Sequence, residues 1–323
     1  MEIKQAHKIL SGGVLTFPMS IVLALLARIF YGTAFFDYES WIVFVLQAGI
    51  AFLLIRINHE YQIIKRRTFL PATFFMLLTA SNPVLYDNTN GTISAFVMIL
   101  CIILSFKSYH SPRSQANSFN IALILTIASA FCWQPLLFFI PLFWVGFWWF
   151  RAFNARTFFA SVLGILTVYL FLFTWYLYDD NLICFLETLP QVEQGFSVVW
   201  IDLQWYDWIA VIFYVFLLIL SAINIFGLGV SEKIRTTLFF KFLYLLAGVL
   251  FVFACFFDSM INDTQTIIYL SIAFISGFYF AINESKFTSY LLIFTMLFFI
   301  ASYVCRLEII DFSSLISVSD FFR

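Results

Sequence analysis

Asp37, Glu39, Asp87 and Arg28 are the residues of this chain whose types and settings could do chemistry. Asp37 and Glu39 lie in the run Phe36-Asp37-Tyr38-Glu39-Ser40, and Asp87 lies in Tyr86-Asp87-Asn88-Thr89-Asn90-Gly91. A carboxylate held beside a sugar or alcohol hydroxyl can take its proton as a general base, and carboxylates can also hold a divalent cation on a phosphate. The same acids also suit short loops that simply need polar residues. Arg28 is set inside a long apolar run. A charge at the centre of a bilayer costs roughly 2.5–3.5 kcal/mol on insertion scales, so it faces a partner, a cavity or a phosphate, or reaches along its own stem to the headgroups. On this reading Asp37, Glu39 and Asp87 are the candidate catalytic residues, a divalent cation is the candidate cofactor, and Arg28 is the candidate phosphate or headgroup ligand.

Other chemistries lack their signatures. There is no phosphate-binding glycine loop, no nucleophile elbow and no H-E-x-x-H helix. His7, His59 and His110 fall in three separate segments, which gives a metal no shared site. The five cysteines form no C-x-x-C pair. With a net charge of −1 and no long basic run, nucleic acid is not an expected partner.

What must position these residues is a set of apolar helices. The chain is 63% hydrophobic and 11% charged, with a mean hydropathy of +0.97. A soluble domain carries roughly 25% charged residues, so most of this surface faces something other than water. Spans of about 20 apolar residues cross the hydrocarbon. The candidates are 14–36, 41–56, 69–86, 92–106, 118–133, 135–150, 157–178, 207–230, 239–257, 266–282 and 287–305. Trp133-Gln134-Pro135 turns the chain between the fifth and the sixth. The fold class is therefore an all-α polytopic transmembrane bundle of about eleven spans, one membrane domain over 1–323. The first apolar run is too long for a cleaved signal and reads as a retained anchor.

Charge sets the sidedness. With the amino terminus in the cytoplasm and strict alternation, fourteen of the 17 Lys and Arg fall inside, among them Lys4, Lys65, Lys107, Arg151, Arg235 and Lys286. Arg28, Arg306 and Arg323 are the exceptions. Fourteen of the 18 acids fall outside, and so does the carboxyl terminus. The segment 179–207 mixes acids with Leu182, Ile183, Phe185 and Trp200, as an interfacial helix or a partly ordered loop would, and the tail 306–323 alternates in the same way. Trp at span ends fits an aromatic belt, and the basic runs 65–67 and 151–156 suit anionic lipid. Abundant Phe, Ile and Asn suggest an AT-rich bacterial genome and the inner membrane.

The stretch from Thr68 to Leu170 resembles an uncharacterised family of multi-pass bacterial inner-membrane proteins. The resemblance is carried by Phe69-Leu70-Pro71, Asn82-Pro83, Gln134-Pro135-Leu136-Leu137, the loop Arg151 to Arg156, and Gly164. More distantly the same hairpins are similar to GT-C glycosyltransferases, which act on polyprenyl-phosphate-linked sugars. That likeness implies an essential acid in the first outer loop, at Asp37 or Glu39, and a second in the next, at Asp87. It departs from that family in the first outer loop, which here is only residues 37–40.

Three functions follow as expectations. The first is a GT-C-like enzyme, or a degenerate relative, handling a lipid-linked sugar at the outer face. The second is a non-enzymatic scaffold or assembly subunit of a cell-envelope complex. The third is a transporter or flippase, for which the spans offer only Arg28, Gln47, Asn224 and scattered Ser and Thr as a polar path. The lipid bilayer is a partner in all three.

Overall fold

In lipid every backbone polar group must be satisfied within the protein, and helices do this residue by residue. The computed structural model describes residues 12–13, 15–31, 38–61, 68–189, 204–227, 234–256, 261–283 and 285–307, and among them the only regular elements are helices. They are α1 (Thr16–Tyr31), α2 (Tyr38–Tyr61), α3 (Leu70–Ala80), α4 (Thr89–Lys107), α5 (Ser114–Phe131) and α6 (Ile140–Trp149). Then come α7 (Ala155–Tyr178), a short α8 (Leu182–Thr188), α9 (Trp205–Ala222), α10 (Ile234–Phe256), α11 (Ile261–Ile282) and α12 (Lys286–Arg306).

Local chemistry sets the boundaries. Pro71 falls in the first turn of α3, where its missing N–H has no intrahelical partner to lose. The Asn88 side chain caps α4 by accepting from Gly91 N at 2.8 Å. The Ser285 Oγ does the same for α12 from Thr288 N. Trp133 is extended, and Pro135 then opens a 3-10 turn over Gln134–Phe139 that leads into α6. This separates α5 from α6 where the sequence places a turn. A second 3-10 turn, Pro83–Leu85, continues α3, and a π turn, Ile223–Gly227, continues α9.

Each stretch read as a span from the sequence overlaps one of these helices, although 69–86 and 135–150 hold helices of only 11 and 10 residues. Seven are long and apolar enough to cross a bilayer: α2, α4, α7, α9 with its π turn, α10, α11 and α12. The others are shorter or more polar. α1, with 16 residues, is about 24 Å long against a hydrocarbon core of about 30 Å. α5 has 18 residues and opens on Ser114, Gln115, Asn117 and Ser118. Seven such helices, with stripes of exposed large apolar side chains, fit a multi-pass membrane protein. On α12 that stripe is Phe287, Tyr290, Phe294, Leu297 and Ile300, one helical face.

Contacts between helix ends give the order up-and-down. At one end the carboxyl end of α1 meets the start of α2, the starts of α4 and α11 touch, and the end of α12 meets the start of α9. At the other end Tyr61 of α2, Phe106 of α4, Phe150 after α6 and Phe239 of α10 pack ring on ring.

Two helices form the core. Every residue of α3 is buried, and so is nearly every residue of α11 from Thr264 to Ala281. They touch at Gly277, where an added Cβ would stand 2.6 Å from Pro71 N, so only glycine allows this approach. α1 and α2 cover α3, while α4, α9 and α10 cover α11. α5 and α7 pair at the periphery, Gly164 lying against the backbone of Phe119.

Candidate functional site

The polar side chains collect around one loop, Ser81 to Gly91, which joins α3 to α4. Asn82, Pro83, Leu85 and Tyr86 are buried, whereas Val84 and Asp87 are exposed. The Tyr86 hydroxyl donates back to Ala80 O at 2.6 Å, which folds the loop over the end of α3.

On one side of the loop lies Arg28, 5% exposed. Its Nη1 donates to Ser40 O at 2.6 Å and Ser40 Oγ at 2.7 Å, and its Nη2 donates to Gln47 Oε1 at 3.0 Å. The guanidinium carbon lies over two rings, 4.6 Å from the Tyr86 centroid and 5.2 Å from that of Phe44. Tyr31 meets Tyr86 edge to face, and the Tyr303 hydroxyl donates to Ala27 O. The negative charge of Asp87 acts on Arg28. Arg28 is thus turned inward, toward α2 and the loop.

On the other side lies Arg306. Its Nε and Nη2 both donate to Asp207 Oδ1, at 3.2 and 2.6 Å, and its Nη1 donates to Ser81 O at 3.1 Å. The Arg306 side chain is 8% exposed and that of Asp207 28%. Beside this pair the Asn82 amide donates to Gln265 Oε1 at 2.8 Å, and the rings of Tyr214 and Tyr269 meet at 5.7 Å. At the far end of the loop Asp263 of α11 faces the Asn88 side chain and the Gly91 backbone. A Cβ on Gly91 would come within 2.8 Å of Asp263 Cα, so the starts of α4 and α11 are in backbone contact.

Of the four residues singled out from the sequence, the structure joins Arg28 and Asp87 through the Tyr86 loop. Glu39 is exposed at the start of α2, next to Ser40, and accepts from the Tyr38 hydroxyl at 3.2 Å. Asp37 lies outside the described residues. Among those described, no three His, Cys, Asp or Glu gather closely enough to hold a metal ion. Of the 179–207 segment residues 179–189, which hold α8, and 204–207, which open α9, are described, and of the 306–323 tail only Arg306 and Leu307.

The sequence reading passed over Asn82 as a ligand, Gln265, Tyr269 and the Arg306–Asp207 pair. One signal for the pair was available: Arg306 breaks the charge rule for its side of the membrane, and a misplaced cation on a span has a partner.

No protein-family model, no curated protein and no solved structure matches this chain.

Proposed function

We propose that the chain is an eleven-span inner-membrane protein with a cytoplasmic amino terminus. Its 81–91 loop then faces the outside and forms the centre of a GT-C-like site for a polyprenyl-phosphate-linked sugar. The observation that carries this reading is Asp87, an exposed carboxylate on a loop whose buried side is pinned by two arginines. Asp87 is the base or the cation ligand, and Asp37 and Glu39 at the start of the neighbouring hairpin are its helpers. Arg28 sits behind the loop against Tyr86, the residue before Asp87, and its positive charge acts on Asp87. A loop anchored in this way supports a general base, which must stay within hydrogen-bond reach of the hydroxyl it serves.

Membranes carrying Asp87→Asn or Asp37→Asn test it through transfer of sugar from a polyprenyl-phosphate donor. Loss of transfer at unchanged protein level supports the reading, and full transfer in both variants removes it.

A second reading is favoured by a different observation. Both buried guanidiniums are engaged by protein acceptors, and α3, the loop and α11 form a closed core. A rigid body of this kind suits a scaffold or assembly subunit of an envelope complex. Purification in mild detergent should then bring down one partner in fixed ratio, and recovery of the chain by itself counts against it.

A further inference from the structure

At the end of the bundle opposite the 81–91 loop stands a third arginine in a different situation. Arg235, in the first turn of α10, has its guanidinium carbon 5.1 Å from the Tyr61 ring, 5.6 Å from Tyr109 and 5.2 Å from Phe239. Three helices supply this frame: α2, the end of α4, and α10 itself. Ring faces attract the charge but cannot accept in-plane N–H bonds. The Arg235 Nε is buried with no hydrogen-bond partner. Glu60, which also borders Tyr61, is engaged by Arg56 at 3.8 Å. The Tyr61 hydroxyl is committed to Ile103 O.

A guanidinium with an unpaired Nε, held in an aromatic frame, has the planar fork that takes a phosphate through two parallel N–H···O bonds. The surroundings add to it. The first turn of α10 brings the positive end of a helix dipole, and Lys107, closing α4 beside Tyr109, is exposed. We propose that Arg235, framed by Tyr61, Tyr109 and Phe239, binds the phosphate of an anionic lipid headgroup or a free phosphate. This site is separate from the one around Asp87 and does not depend on it.

The test uses the full-length protein in a mild non-ionic detergent, with bound phosphatidylglycerol counted by native mass spectrometry across a titration. Arg235→Gln should weaken binding about tenfold, the loss of a charge-assisted bidentate contact. Arg156→Gln, which removes an exposed charge outside any ring frame, should change it less than twofold. Inorganic phosphate that displaces the lipid at matched concentration assigns the site to phosphate itself, and failure to displace assigns it to the lipid. Equal losses in the two variants, or none in Arg235→Gln, overturn the proposal. If Arg235→Gln does not give folded protein, Arg235→Lys decides: weakening of about threefold, charge kept and fork lost, supports the site, and full binding overturns it.

Discussion

Arg28 and Arg306 are both buried, yet they are neutralised in different ways, and the difference sets what each substitution should do. Arg306 has a carboxylate partner. Arg306→Met leaves Asp207 half-buried without its cation, at a cost of about 2 kcal/mol, below the range for fully buried pairs because Asp207 keeps some solvent. The double variant Arg306→Met with Asp207→Leu should regain at least half of that loss, as a drop and recovery of the thermal midpoint in detergent would register. Arg28 has only neutral acceptors and two rings. Arg28→Lys should cost about 1–2 kcal/mol in the same measurement, since an ammonium cannot bond Ser40 and Gln47 at once while keeping the contacts with Phe44 and Tyr86. Arg28 was legible in the sequence because a lone cation in an apolar run demands an explanation. Gln47 stood out as a polar span residue and Ser40 only as part of a loop, and neither could be assigned to Arg28 until α2 is laid beside α1. The Arg306–Asp207 pair joins residues 99 apart in the chain, and no local spacing carries it.

Helix positions were readable because lipid imposes a length and an apolar content on each. The 3-10 and π turns were not, since they arise where Pro83, Pro135 and the end of α9 meet packing from elsewhere. Glycines divide by what surrounds them. Gly277→Ala should lower the thermal midpoint by the equivalent of about 1–3 kcal/mol, because its Cβ would meet the Pro71 backbone and push α3 away from α11. Gly248→Ala, on α10 with open space around it, should leave stability unchanged or raise it by up to about 1 kcal/mol through helix propensity. Equal losses in the two would mean that the α3–α11 contact is not close.

For the molecule as a whole, charge and direction agree. Glu39, Asp87, Asp207 and Asp263 lie at one end of the bundle, and Arg56, Lys107, Arg235 and Lys286 lie at the other. In a background with the five cysteines replaced, an impermeant thiol reagent on intact cells should label Asp87→Cys and spare Arg113→Cys; the reverse pattern inverts the proposed orientation. Burial of α11 has a further effect on how the chain is made. It is the least hydropathic of the seven long helices, at 1.6, and 83% of its window is enclosed by protein. Its sequence therefore answers to neighbours rather than to acyl chains, which is why Thr264, Gln265, Thr266 and Ser271 are tolerated there. It also leaves the ribosome after α3 and α10, the helices it packs against. Until it arrives, the flank of α3 that it will cover stands open, so a nascent chain halted after α10 carries an unfilled slot down its middle, and the insertion machinery must shelter that slot until translation delivers the plug.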